Sequence, residues 1–280
     1  MKIALIQEKQ NNLYLFKDEN LFFDKQQTLE LQSEMIEQNL KLMRDAAKRT
    51  VDLILTSEAI NFPGKPEWTN ATVKDIILET QNYLLESCSE IAKEYQTMIV
   101  VGMYRVKTDD KLYNSAVVFN RSGDQIFSYD KNFLAGDEKE YLTAGTGFPI
   151  WENEFGRIGI GICWDMQFPE TARAYAMQDV DLILCPTWGW EYLYGPARAY
   201  ENGIYVAATM AVPAWKNIEG KRSPSQVIAP DGEILGCGSS NQEEIVLVEI
   251  KDIKDCKSMR ALRTGDLKEK IKAGVTTIQL

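Results

Sequence analysis

Short apolar runs alternate with longer amphipathic segments along most of the chain. Apolar residues recur every three or four positions over 28–49 and 71–95, which predicts two long helices. Shorter helices are predicted over 169–178 and 192–203. Runs rich in β-branched residues predict strands at 2–7, 51–55, 97–106, 112–120, 125–129, 155–162, 181–185, 204–211 and 244–250. This alternation of strands and helices indicates an α/β fold.

Polar segments separate these elements. The stretches 120–125 and 229–236 combine Asn or Asp with Gly, which is typical of hairpin turns. Residues 11–24 show no clear period, and residues 131–147 are mostly polar, so we interpret both segments as loops. The long second loop lies between two predicted strands and is large enough to carry functional side chains.

The chain has the organisation of a single domain. It contains no internal repeat and no linker rich in Pro or Gly, so we predict one domain over 1–280. We expect its core to span about 2–250. The tail at 251–280 is rich in charge, and we expect it to reach away from the core, where it would be available to an interface.

Composition excludes several classes of partner. Lys and Arg number 31 against 41 Asp and Glu, and this net charge of -10 argues against nucleic acid and anionic membrane surfaces, which need a basic face. No apolar run approaches the roughly 20 residues of a membrane span, and the start of the chain lacks the apolar stretch of a signal peptide. The five scattered cysteines form no CxxC pair, which predicts reduced thiols in a cytoplasm and no zinc site.

The chain contains no histidine, and this narrows the possible chemistry. Triads of Ser-His-Asp type, Cys-His dyads and HExxH metal sites are all excluded. Cys163 follows the predicted strand at 155–162 and precedes the helix at 169–178, which is a suitable position for a catalytic thiol. The competing interpretation is a packing role, because free cysteine is among the most buried residue types.

Glu58 and Lys131 also lie directly after predicted strands, although each alone could be an ordinary exposed loop residue. A thiol with a pKa of ~8.5 is only partly ionised at neutral pH, and a nearby carboxylate can accept its proton. A nearby ammonium favours the thiolate and stabilises an oxyanion, for which the backbone N–H of Trp164 is a second donor. Together with Cys163, these residues can perform cysteine acyl chemistry if the fold brings them together.

Six segments, in order, resemble the motifs of the nitrilase superfamily of carbon-nitrogen hydrolases, from Lys2 to about Ile250. They are LILTSEAINFPG, YDKNFLAGDEKEYLTAG, RIGIGICWDMQFPETAR, DLILCPTWGW, ARAYENGIYVAATM and SQVIAPDGEILG. The resemblance implies a four-layer α-β-β-α sandwich with Cys163 on a strained strand–helix turn. It also implies a homodimer formed through the helices near 169–178 and 192–203, with no metal and no organic cofactor.

The resemblance implies a mechanism as well. Glu58 would take the thiol proton while Cys163 attacks a carbonyl or nitrile carbon, and Lys131 with the Trp164 N–H would hold the developing negative charge. Glu58 would then protonate the leaving amine and activate the water that hydrolyses the thioester.

Two further site residues follow from position in these motifs. The family's second glutamate corresponds to Glu138, and Glu140 is the alternative because the loop alignment could slip by two residues. Trp188 follows a predicted strand, and we expect it, with Trp190 and Tyr192, to wall the substrate pocket. Aromatic packing is the competing interpretation for these three residues.

The substrate class stays open at this point. Family members that act on carboxylate-bearing substrates commonly have an arginine two to four residues after the cysteine, where this chain has Asp165, Met166 and Gln167. The chain is therefore more similar to the amidases of carbamoylputrescine type, whose substrate carries an amine. We expect hydrolysis of a small amide or an N-carbamoyl compound. The alternatives are nitrile hydrolysis, acyl transfer to an amine, and a catalytically silent binding or assembly subunit.

Overall fold

The strands of the chain form two six-stranded sheets within the residues that the computed structural model describes, 1–15, 23–64, 70–214 and 222–274. The strands are β1 (Lys2–Gln7), β2 (Leu53–Leu55), β3 (Met98–Val106), β4 (Leu112–Phe119), β5 (Gln125–Asp130), β6 (Trp151–Glu152), β7 (Arg157–Ile160), β8 (Leu182–Thr187), β9 (Tyr205–Met210), β10 (Gln226–Ile228), β11 (Ile234–Cys237) and β12 (Glu244–Glu249). The helices are α1 (Lys25–Ala47), α2 (Asn70–Tyr95), α3 (Glu138–Tyr141), α4 (Pro169–Met177), α5 (Tyr194–Asn202) and α6 (Lys257–Lys272).

The two sheets share one plan. The first has the strand order β12-β1-β2-β3-β4-β5 and the second β11-β10-β9-β8-β7-β6. Strands β1, β2 and β3 are parallel, as are β7, β8 and β9, and the outer strands add antiparallel pairs. Parallel strands are buried on both faces, which explains why segments such as LIL and LILCPT are continuous apolar runs rather than alternating ones.

Side chains on each strand alternate between the sheet–sheet interface and a helical layer. In β1, Ile3 and Leu5 belong to the core between the sheets, whereas Ile6 packs with the apolar residues of α1 and α2. In β8, Leu184 faces the other sheet, whereas Ile183 packs with residues of α4 and α5. The molecule is therefore a four-layer α-β-β-α sandwich, as the family resemblance implies.

Apart from α6, the elements missed by sequence analysis are short. Strands β6, β10 and β11 have two to four residues and α3 has four, so none is long enough to show a period. Helix α3 lies within the segment 131–147 that the sequence predicts as a loop. Of the predicted loop at 11–24, Asn12–Tyr14 forms a 3₁₀ helix, and residues 16–22 lie outside the described residues.

The expectation that the tail reaches away from the core is wrong for the segment up to residue 264. Ile253 joins the core between the sheets, and Arg260 and Thr264 on α6 are buried. The Arg260 guanidinium donates to the Asp181 carboxylate at 2.7 Å and to the Val180 carbonyl at 2.8 Å. A buried ion pair replaces apolar contacts here, so hydrophobic periodicity could not reveal this helix.

Every helix within the described ranges is too short or too polar to cross a bilayer.

This anchor gives a stability prediction. Replacing Arg260 by Ala leaves the Asp181 carboxylate buried without its cation, which should lower the free energy of unfolding by about 3 kcal/mol or more. The matched control is Lys268→Ala, which removes the more exposed pair with Asp179 and should cost less than about 1 kcal/mol. Urea unfolding monitored by circular dichroism measures both, and equal losses would contradict the role of Arg260 as a buried anchor.

Candidate active site

A cavity of about 390 Å³ opens where several strands end. Glu58 follows β2, Lys131 follows β5, Cys163 follows β7 and Trp188 follows β8, and all four side chains line it. Ends of parallel strands are the usual place for chemistry in α/β proteins, because the scaffold is rigid and the loops vary. The remaining lining residues are Phe62, Tyr104, Ala135, Gly136, Asp137, Glu138 and Tyr141.

Lys131 lies at the centre of the polar side of this cavity and is 1% exposed. Its Nζ donates to Glu58 Oε1 at 2.7 Å and to the two oxygens of Glu138 at 2.8 and 3.0 Å. Burial alone would lower the pKa of Lys131, but the charges of Glu58 and Glu138, with Cys163, outweigh it and hold this pKa well above its ordinary value. The ammonium therefore stays charged between two carboxylates.

The backbone is strained at the cysteine and directly after Glu58. Cys163 begins the 3₁₀ helix Cys163–Gln167 with a φ of 44°, and Ala59, directly after Glu58, has a φ of 50°. Positive φ at a residue with a Cβ costs of order 1–3 kcal/mol and is found where a side chain must be held in one direction. The strained turn that the sequence predicts at Cys163 is confirmed.

The Cys163 thiol is held in its protonated form. Burial raises its pKa to about 12, the charge of Glu58 adds to this, and the ammonium of Lys131 opposes it. The Thr187 hydroxyl lowers the pKa of the thiol, whereas the Glu58 carboxylate raises it. Because this carboxylate lies beside the thiol in the same cavity, it can receive the proton when the sulfur attacks a substrate.

The other predicted site residues differ in burial and in their contacts. Trp164 is the second residue of its 3₁₀ helix, where an N–H has no acceptor within the helix, and its side chain is 41% exposed. The Trp188 indole Nε1 donates to the Glu58 carbonyl at 2.7 Å, and its ring packs 4.9 Å from that of Phe62. Trp190 is instead buried beside α4 and α5, and Tyr192 is exposed.

The structure also discriminates between the two candidate glutamates of the long loop. Glu138 begins α3 and accepts hydrogen bonds from Lys131 and from the Ala135 N–H at 2.7 Å. Glu140 lies on the same short helix but is exposed and does not line the cavity. Glu138, rather than Glu140, is therefore the second carboxylate on the lysine.

Sequence reasoning missed two buried polar residues that hold this arrangement. Asn114 on β4 donates from Nδ2 to Glu58 Oε1 at 2.8 Å and to Glu138 Oε1 at 3.1 Å. Asp165 lies in the segment RIGIGICWDMQFPETAR, where the sequence marks it only as a position without an arginine. Asn114 lies outside the six motif segments, and neither polar side chain could be placed without the tertiary structure.

The Asp165 carboxylate joins the lysine loop to the cysteine turn. It accepts from the N–H groups of Asn132 at 3.1 Å and Phe133 at 2.8 Å, and from the N–H of Ile162 at 2.9 Å. The hydroxyl of Tyr129 donates to it at 2.8 Å. Burial raises the pKa of Asp165 to about 6, against the lowering effect of these hydrogen bonds. Lys131 and Cys163 are thus fixed relative to one another through one carboxylate.

The chain is similar in sequence to known carbon-nitrogen hydrolases. The family model for carbon-nitrogen hydrolases matches residues 2–261. A nitrilase of Pyrococcus abyssi is 31% identical over 239 residues, covering 82% of this chain and 86% of the relative. The omega-amidase of Homo sapiens is 27% identical over 247 residues, covering 82% and 87%. Within the described residues, no group of three or more His, Cys, Asp or Glu side chains is arranged to hold a metal ion.

The fold is also that of a solved amidase. The crystal structure of an amidase from Nesterenkonia sp. superimposes with a TM-score of 0.70 at 24% identity, covering 95% of this chain and 96% of that one. A match of the family model over nearly the whole chain, together with a relative above 30% identity, settles the family. The chain belongs to the carbon-nitrogen hydrolase family, the nitrilase superfamily.

Proposed function

We propose that this protein hydrolyses the C–N bond of a small amide or an N-carbamoyl compound through a thioester on Cys163. The observation that supports this most strongly is one cavity that is lined by a thiol, a carboxylate, and an ammonium bound to that carboxylate at 2.7 Å. This set is the minimum for acyl transfer by a cysteine in a chain without histidine. It also makes a catalytically silent subunit the weaker hypothesis.

In the first half of the reaction, Glu58 takes the proton of the thiol as the sulfur attacks the carbonyl carbon. A free thiolate is scarce at neutral pH when the thiol pKa is about 12, so attack and proton transfer belong to one step. Lys131 and the Trp164 N–H stabilise the oxyanion, and one such donor is worth roughly 3–4 kcal/mol in acyl-transfer enzymes. Glu58 then gives the proton to the departing nitrogen, and the C–N bond breaks.

In the second half, water replaces the amine at the acyl carbon. Glu58 removes a proton from that water, which attacks the thioester, and the proton returns to the sulfur as the acid leaves. Glu138 holds Lys131 in place through both carboxylate oxygens throughout. Trp188 walls the cavity and fixes the loop that carries Glu58.

The size and lining of the cavity favour a small substrate. Its walls include the rings of Phe62, Tyr104, Tyr141 and Trp188, and its volume of about 390 Å³ is at the low end for ligand sites. The absence of an arginine at Asp165, Met166 and Gln167 supports an amine-bearing or carbamoyl substrate over a dicarboxylate amide. A second candidate is nitrile hydrolysis, which the 31% identity to a nitrilase favours. Acyl transfer to an amine would use the same site.

We also infer a cytoplasmic homodimer. Apolar side chains are exposed around α5, with Leu193 70%, Tyr192 47% and Tyr200 48% exposed, and a second copy could cover them. All five cysteines are free, which suits a reducing compartment. Sedimentation velocity of the purified chain tests the dimer, and a single monomeric species at micromolar concentration would refute it.

The proposed activity is tested by ammonia release. The wild type, Cys163→Ala and Glu58→Gln should each be assayed with the same panel of compounds. The panel contains simple amides, ω-amides of dicarboxylates, carbamoyl amines, carbamoyl amino acids and nitriles. We expect release from an amide or carbamoyl compound, a fall to background in Cys163→Ala, and a loss of about 10²- to 10⁴-fold in Glu58→Gln. Release that persists in Cys163→Ala would contradict the thioester route, and a preference for ω-amides would contradict the argument from the missing arginine.

The raised thiol pKa predicts an unusual pH dependence. Because the thiol stays protonated far below pH 12 and Glu58 takes its proton during attack, kcat/KM of the wild type should not climb with pH between 7 and 9. In Glu58→Gln the proton must go to hydroxide, so the residual rate should rise about tenfold per pH unit over the same range. Initial rates on the best substrate measure both slopes. A tenfold rise per unit in the wild type would show that a pre-formed thiolate, rather than Glu58, supplies the nucleophile.

A further inference from the structure

Asn114 contacts both carboxylates of the candidate site and is fully buried on β4. Its Nδ2 donates to Glu58 Oε1 at 2.8 Å and to Glu138 Oε1 at 3.1 Å, so the single amino group serves two acceptors. The Asn114 carbonyl on the main chain accepts from the Lys131 N–H at 2.8 Å. The residue is therefore tied to the lysine and to both glutamates at once.

The charges at this point do not cancel, and Asn114 supplies a neutral hydrogen-bond donor to both carboxylates. Two carboxylates share one ammonium, so the group carries a net charge of −1 in a place from which water is largely excluded. Carboxylates that share a site raise one another's affinity for protons, whereas hydrogen bonds to the charged form oppose this. Glu138 has a further donor in the Ala135 N–H at 2.7 Å. Glu58 Oε1 accepts a hydrogen bond from the charged Lys131 and a second one from the neutral Asn114.

The orientation of the amide follows from the same electrostatics. The Asn114 Oδ1 atom is buried and has no hydrogen-bond partner. Rotating the amide by half a turn would direct Oδ1 at both carboxylates and remove both hydrogen bonds. An orphaned carbonyl oxygen is costly in a buried site, and it is tolerated here because the amino group has two charged acceptors.

The contacts also distinguish the two oxygens of Glu58. Lys131 and Asn114 both donate to Oε1, which occupies the two lone pairs of that oxygen. Oε2 is thereby left as the oxygen that can accept a proton from Cys163. We propose that Asn114 is a positioning residue that keeps Glu58 and Glu138 ionised together and presents Glu58 Oε2 as the base. This rests on the role of Glu58 in the proposed function.

Most other titratable groups near the two carboxylates keep their charge state near neutral pH. Burial raises the pKa of Cys163 and of Tyr141 to about 12. The pKa values of Tyr14, Tyr104, Lys131 and Cys185 are raised well above their ordinary values, and burial lowers the pKa of Arg222 from its ordinary value. Glu8 and Asp165, with pKa values of about 8 and 6, do titrate in this range. Both are unchanged in a variant at Asn114, so a difference from the wild type reports on the two carboxylates.

The test is Asn114→Leu, which has nearly the same shape but no donor. Without the donor, a carboxylate should bind a proton more readily, so the acid limb of the kcat/KM profile should move about one to two units toward higher pH. Activity lost near pH 6 should largely return near pH 9. The matched control is Asn39→Leu, which removes another fully buried amide that donates to the Met35 carbonyl at 3.0 Å in α1. Asn114→Ser, which is too short to reach either carboxylate, is the second variant if the leucine does not fold.

A second readout needs no substrate. Infrared titration detects the C=O stretch of a protonated carboxyl group, which is assigned here by its loss in Glu58→Gln or Glu138→Gln. Its midpoint should move up by the same one to two units in Asn114→Leu and stay fixed in Asn39→Leu. A loss of activity that is equal at every pH, or an unmoved midpoint, would overturn the proposal. If the wild type hydrolyses no compound of the panel, the proposed function fails while the infrared result still decides the role of Asn114.

Discussion

The ammonium of Lys131, buried between the carboxylates of Glu58 and Glu138, is the interaction on which the rest of the site depends. A buried lysine without these partners would shed its proton, and two buried carboxylates without a cation would take one up. The three side chains come from the ends of β2 and β5 and from α3, so the charges meet only after the first sheet has formed. Removing Lys131 would leave two buried carboxylates without a cation, which links the stability of the site to its chemistry.

Stacking of the two sheets brings the thiol to this charge cluster. Cys163 follows β7 of the second sheet. The Asp165 carboxylate binds its turn to the loop after Lys131 through two hydrogen bonds and to Tyr129 on β5 through a third. The close approach also explains a glycine on β3. A Cβ on Gly102 would lie 2.2 Å from the Ser57 carbonyl oxygen and 3.1 Å from the side chain of Pro186, so only glycine leaves room for the Glu58 loop. The packing of the two sheets and the position of the Glu58 loop therefore depend on the same close contact.

Much of the fold and the central site residues could be predicted from the sequence, because their signals are local. Long helices and buried parallel strands show in their apolar periods, and Glu58, Lys131 and Cys163 each follow such a strand directly. Convergence of these residues on one cavity could be anticipated only through the family resemblance. Asn114 and Asp165 act through hydrogen bonds to residues 24 to 56 positions away, and α6 docks through the ion pair of Arg260 with Asp181. Such contacts leave no periodic trace in a single sequence.

In the proposed mechanism, the acyl group passes through a covalent bond to Cys163. The most direct test is mass spectrometry of the protein from an acid-quenched reaction with the best amide of the panel, followed by peptide mapping. The account predicts a mass increase equal to the acyl group, located on Cys163, that appears within the first turnover and disappears when hydroxylamine intercepts the thioester. An acyl group on another residue would contradict the account. Product formation within the first turnover with no adduct at any quench time would also contradict it, because water would then have attacked the substrate directly.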